Sequence, residues 1–198
     1  MVRAQIAARG IRDARVLEAM RAVPREEFVP EPLREHAYDD EPLPIGDGQT
    51  ISQPYIVAAM LEALGLTGRE RVLEVGAGSG YAAALLGRLA REVWALELVP
   101  SLARGAAAAL ERAGAHNVHV SCADGTMGLP GHAPYDAILV SAAGPEIPPA
   151  LVEQLAVGGR LVIPVGIEDQ RLFHVTRRDS GIVTEPGERV RFVPLVAG

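Results

Sequence analysis

The 198-residue chain predicts one doubly wound α/β domain spanning 1–198. Its expected core is a mostly parallel sheet of about seven strands, covered on both faces. An antiparallel hairpin closes its C-terminal edge, and a helical extension occupies residues 1–50. Three features carry that expectation. From Arg71 onward, short apolar runs alternate with helical patterns of ~10–15 residues, the signature of βαβ units. A glycine-rich turn, Gly76-Ala77-Gly78-Ser79-Gly80, joins the first such run to the first such helix. The final apolar runs are parted only by a polar turn around Asp179-Ser180-Gly181, too short for a crossover helix.

Taken in order, the first ~35 residues read as short helices. Ile6, Ile11, Val16, Leu17, Met20 and Val23 form their apolar stripe, and Asp13 can cap the second helix. Pro24, Pro30, Pro32, Pro42 and Pro44 then mark an irregular connector with turns. A helix follows over 53–64, with Ser52 as N-cap, Pro54 in the first turn and Gly65 just past the end. Strands are expected over 71–75, 92–97, 118–121, 135–140 and 160–165, with helices over 81–90, 100–113 and 148–155. The last two strands fall over 172–176 and 190–195.

Nineteen basic against 25 acidic residues give a net charge of −6, which disfavours a nucleic-acid or anionic-membrane partner. All the basic residues are arginine, so Schiff-base lysines and a P-loop lysine are excluded. The one cysteine, Cys122, rules out an internal disulfide and reads as a packed core thiol. No run approaches the ~18 apolar residues of a membrane span, and the N-terminus lacks the pattern of a signal peptide. The expectation is a cytoplasmic monomer. No metal site is expected, because His116 and His119 flank a strand without a carboxylate beside them.

The glycine turn fails G-x-G-x-x-G, since Tyr81 holds the sixth position. Its spacing is G-x-G-x-G preceded by Glu74, the turn used by S-adenosylmethionine methyltransferases. Gly76, Gly78, Ser79 and Gly80 would let the cofactor approach the backbone. Glu97, followed by Leu98, ends the second strand of the alternating pattern, where a carboxylate can accept from two ribose hydroxyls. Asp124, with Gly125, follows the third such strand and is placed to accept from an adenine amino group. The expected cofactor is S-adenosyl-L-methionine, with S-adenosyl-L-homocysteine as product. Ser141-Ala142-Ala143-Gly144-Pro145 does not fit the Asn/Asp-Pro-Pro-aromatic motif of nucleobase amine methylation, and Cys122 does not suit cytosine-carbon chemistry.

Asp47-Gly48-Gln49-Thr50-Ile51-Ser52-Gln53-Pro54, with Val-Leu-Glu-Val-Gly-Ala-Gly-Ser-Gly-Tyr over 72–81, resembles the protein-L-isoaspartate O-methyltransferase family. Further similarity lies over 24–30, 43–46, 145–148, 158–166 and 191–195. The resemblance implies a Rossmann-like methyltransferase sheet. It also implies methyl transfer from S-adenosylmethionine to the free α-carboxylate of L-isoaspartyl residues in age-damaged proteins and peptides. The ester then closes to a succinimide, which opens partly to normal aspartyl. By the same resemblance Ser52 is the active-site position. Gln49, Thr50 and Ile51 enclose both cofactor and peptide, and Val193, Pro194 and Leu195 hold the substrate backbone. Two departures stand beside the cofactor turn and the adenine acid, at Ala77 and Ala123.

A substrate carboxylate of pKa near ~4 is already ionised at pH 7, so the chemistry asks for positioning rather than a general base. From local sequence, Ser52 reads first as the helix cap, a role compatible with aiming an anion. Asp47 reads as serving the turn with Gly48. Two alternatives remain open: a small-molecule carboxyl or hydroxyl O-methyltransferase on the same scaffold, and a relative that binds partners but no cofactor.

Overall fold

The computed structural model describes residues 1–198. Short turns over 2–9 lead to α1 (Ala14–Ala22), whose first N–H groups are taken by Asp13: Oδ1 accepts from Arg15 N (2.8 Å) and Val16 N (3.3 Å). The proline-rich connector is not wholly irregular. β1 (Leu43–Gly46) and β2 (Gln49–Ile51) form a two-stranded antiparallel hairpin. Asp47 and Gly48 make its two-residue loop, both with positive φ (51° and 72°), as a hairpin following the natural strand twist requires. Strands of four and three residues, one containing Pro44, are too short to show a period of two. α2 (Pro54–Leu64) follows and ends at Gly65 in the left-handed region.

Seven further strands form one sheet: β3 (Arg71–Val75), β4 (Glu92–Glu97), β5 (Val118–Cys122), β6 (Tyr135–Val140), β7 (Leu155–Val165), β8 (Gln170–Arg178) and β9 (Gly181–Val190). Their order is β5-β4-β3-β6-β7-β8-β9, parallel through β7 and antiparallel beyond it. α3 (Tyr81–Leu89), α4 (Pro100–Arg112) and α5 (Pro149–Glu153) serve as crossovers. The two faces alternate residue by residue. Val72, Val93, Ala95, Ala137 and Leu139 join the larger core with α1, α2 and α3. Leu73, Val75, Leu96, Ile138 and Val140 join a smaller one with Leu151 of α5.

Several expectations shift. The helix expected over 148–155 stops at Glu153, because Leu155 already pairs with Tyr135 at the start of β7. The strand expected over 190–195 is not one. β9 lies earlier and carries few apolar residues because it is the exposed edge, with Pro186 and Gly187 beside a register shift. Residues 193–195 are apolar for another reason: they are tied to the loop after β6, Ala143 N donating to Val193 O and Leu195 N to Ala143 O (both 2.8 Å). Cys122 is exposed rather than packed in the core. No helix is long and apolar enough to cross a membrane.

Candidate active site

Strand order reverses between β3 and β6, and the crevice beyond their carboxyl ends is where open sheets of this kind bind ligands. After β3 the chain turns at once. Gly76 N and Ala77 N both donate to Leu96 O (2.8 and 3.0 Å), while Ser141 N donates to Val75 O (2.8 Å). Gly78 adopts φ 54°, which a side chain would strain, and Gly80 (φ 86°) opens α3. The N-terminal extension is bolted beside that helix start. Arg25, 0% exposed, donates from Nε to Ala37 O (2.8 Å) and stands over the Tyr81 ring at 5.0 Å. Burial pushes its guanidinium down to about 10, so it stays charged at pH 7.

Above the turn lies an open cavity of about 590 Å³, part of it continuous with solvent. Gln49, Thr50, Gly76, Gly78, Glu97, Leu98, Gly125, Val193, Pro194 and Leu195 line it, so ten of the expected residues converge there. A Cβ at Gly125 would lie 2.3 Å from Val75 Cγ1, so the wall is built for glycine. Glu97, 7% exposed, is held at the rim: Oε2 accepts from Gly78 N (2.7 Å) and Oε1 from Val99 N (2.9 Å).

The other expected residues stand differently. Glu74 does not line the cavity. It is 0% exposed beneath the turn, and neither oxygen has a hydrogen-bond partner. Burial, and then the nearby charge of Glu97, raise its pKa well above its ordinary value, which favours the protonated form. Asp124 sits just outside, between lining residues Ala123 and Gly125. Its Oδ1 accepts from Thr126 Oγ1 (2.7 Å) and N (2.8 Å), and Oδ2 from Gly198 N (3.1 Å). Those bonds, Thr126 Oγ1 foremost, hold its pKa below the ordinary value. Ile51 and Ser79 line a smaller inner cavity of about 330 Å³ together with Ser52.

Ser52 is not the helix cap. The residue before α2 is Gln53, and the α2 start is satisfied from a distance by Asp40. Asp40 Oδ1 accepts from Tyr55 N (3.1 Å), and Oδ2 accepts from Gln53 Nε2 (2.9 Å) and pairs with Arg9 Nη1 at 2.5 Å. Ser52, relieved of capping, lines the inner cavity and a second, outer cleft of about 840 Å³. Thr50, Ser141 and Val193 line both that cleft and the main cavity, and Ser141 lines the inner one too. Ser141 was missed from sequence, where 141–145 counted only as a motif that failed to match. Its one signal is its place directly after the β6 apolar run at the reversal of strand order.

A reversed parallel sheet with a G-x-G-x-G turn and an acid ending the next strand defines a class: α/β proteins that hold an adenosyl-type cofactor at the switch point. The comparisons narrow it. The family model described as protein-L-isoaspartate(D-aspartate) O-methyltransferase matches residues 1–198. "Protein-L-isoaspartate O-methyltransferase 2" of Marinobacter nauticus is 60% identical over 199 residues, covering 99% of this chain and 91% of that one. A solved protein-L-isoaspartate O-methyltransferase superposes with a TM-score of 0.87 at 33% identity, over 97% of this chain and 63% of that one. A protein-L-isoaspartate O-methyltransferase described as putative, from Plasmodium falciparum and in complex with S-adenosyl-L-homocysteine, gives a TM-score of 0.84 at 27% identity, over 96% and 94% of the two chains. This chain belongs to the protein-L-isoaspartate(D-aspartate) O-methyltransferase family.

Proposed function

We propose that the protein repairs isoaspartyl damage, methylating the free α-carboxylate of L-isoaspartyl residues with S-adenosyl-L-methionine as donor. The observation that carries this is the shared wall: the cavity above the glycine turn and the cleft of Ser52 meet at Thr50, Ser141 and Val193. A donor on one side and a peptide carboxylate on the other would face each other across it.

The residues present fit the cofactor. A side chain at Gly125 would collide with Val75 and one at Gly78 would be strained by its positive φ, and the Glu97 carboxylate is aimed by two backbone N–H groups with lone pairs left for ribose hydroxyls. Gly76, Ser79, Gly80, Leu98 and Asp124 complete that side, Asp124 toward the adenine amino group. Buried Glu74 supports the turn from below. When bound, the cofactor supplies an electrophilic methyl on a sulfonium. The protein's part is orientation and partial drying of the incoming carboxylate. Ser52 Oγ donates to one carboxylate oxygen and leaves the other free to attack. A hydroxyl aims the anion without the quenching an arginine there would bring. Gln49, Thr50 and Ile51 close over both sites, and Val193, Pro194 and Leu195, anchored to Ala143, hold the peptide backbone. The whole chain works as one catalytic unit whose first 50 residues supply the substrate loop.

Its partners are isoaspartyl peptides and age-damaged proteins. The free, exposed Cys122 suits a reducing cytoplasm, where the protein acts as a monomer. Paired peptides that differ only in an isoaspartyl or aspartyl linkage test the reading. Base-labile methyl incorporation into the first alone is expected, and equal labelling of both sinks it.

A further inference from the structure

The outer cleft is electrostatically one-sided. Arg189 and Arg191 line it, and none of its lining residues is acidic, although the chain as a whole carries a net charge of −6. The positive charge is concentrated by the sheet itself. β8 and β9 pair antiparallel with Arg171 directly opposite Arg189, and like charges in that position repel. A single carboxylate answers them: Asp169 Oδ1 lies 3.4 Å from Arg189 Nε, with both side chains mostly exposed. Arg171 spends one donor on Gly187 O (3.4 Å), and Arg191, exposed, is in no ion pair. Ser52 and Ser141 line the same cleft, which shares Thr50, Ser141 and Val193 with the cofactor cavity.

We propose that Arg189 and Arg191 form a subsite for carboxylate side chains flanking the isoaspartyl residue, so that the protein prefers isoaspartyl sites in acidic sequence over those in basic sequence. The inference rests on the cleft being the peptide site. A substrate whose α-carboxylate lies at Ser52 must leave along the cleft, past the two guanidinium groups. Acidic neighbours there relieve the Arg171–Arg189 repulsion, while basic neighbours add to it. The arginines are specificity-determining residues, not catalytic ones.

The test uses the full chain and three isoaspartyl peptides with neutral, Glu-containing and Lys-containing flanks. Exposed ion pairs each shift affinity up to about fivefold, so a kcat/KM ratio of about tenfold for Glu over Lys flanks is expected at low salt. Screening at ~1 M salt, where the Debye length is about 3 Å, should bring the ratio close to one. Arg189→Glu with Arg191→Glu should invert it, whereas a purely structural loss lowers all three peptides together and leaves the ratio unmoved. A wild-type ratio near one, or a ratio that survives the double charge reversal, overturns the inference while methylation of the neutral peptide keeps the repair reading intact. If none of the peptides is methylated, both fall.

Discussion

Replacing Glu74 by Gln should make the protein more stable as pH rises, and the size of the gain follows from where that carboxyl sits. In the folded protein it is fully buried, unpartnered and beside Glu97, so it keeps its proton well above the ordinary value of 4.5. In the unfolded chain it ionises near that ordinary value. The folded pKa is the raised one, so the stability Glu74 contributes is fully present below about 4.5 and drains away as pH climbs toward the folded pKa. Over that window the loss is about 1.4 kcal/mol per pH unit. Gln has the same shape and no titration, so the wild type loses this amount and the variant does not. Within that window the variant should therefore gain on the wild type as pH rises, and the gain levels off once the folded carboxyl ionises. Urea unfolding of both proteins at pH 5.5, 6.5 and 7.5 reads the difference, in which all other titrations cancel. Curves that stay parallel would show Glu74 already ionised in the folded protein at pH 5.5, and its carboxyl would not be the buried neutral group that sets this pH dependence.

Three further outcomes follow from the same geometry. Ser52→Ala should leave unfolding stability within about 0.5 kcal/mol, where a true N-cap would cost ~1 kcal/mol. Losing its bond to the substrate carboxylate should lower turnover about 10–100-fold with S-adenosylhomocysteine affinity retained by calorimetry, and undiminished turnover would remove Ser52 from the chemistry. Asp40→Ala should destabilise by about 1–2 kcal/mol in thermal or urea melts and reduce turnover, because the α2 start loses its acceptor; Asp40→Asn should recover much of both. Gly125→Ala drives a methyl against Val75, 2.3 Å away, and should cost about 1–3 kcal/mol while weakening S-adenosylhomocysteine binding, so calorimetry showing wild-type affinity would count against a close-fitting cradle.

Local regularities were legible along the chain wherever the cause was local. The strand–glycine turn–helix unit at 71–89 follows from apolar periodicity and from backbone angles only glycine tolerates, and Asp13 caps α1 from the adjacent position. What failed to show depends on partners distant in sequence. β9 has no apolar period because neither of its faces is buried, and 190–195 looked like a strand because those residues pack against the loop at Ala143.

The doubly wound class, the glycine turn and the acid at Glu97 are each written in residues next to one another. That Ser52 is not a cap depends on packing. Local chemistry makes it a cap, yet Asp40, brought in from across the hairpin, takes the helix N–H at Tyr55 and leaves the serine hydroxyl to the cleft. The same holds for Glu74, part of the expected cofactor motif by position but a buried, unpartnered carboxyl by environment, and for Arg189 and Arg191, joined to Ser52 in one cleft more than 130 positions along the chain. A side chain's task is set by which groups compete for its polar atoms and by how much water reaches them, and both are properties of the packed molecule.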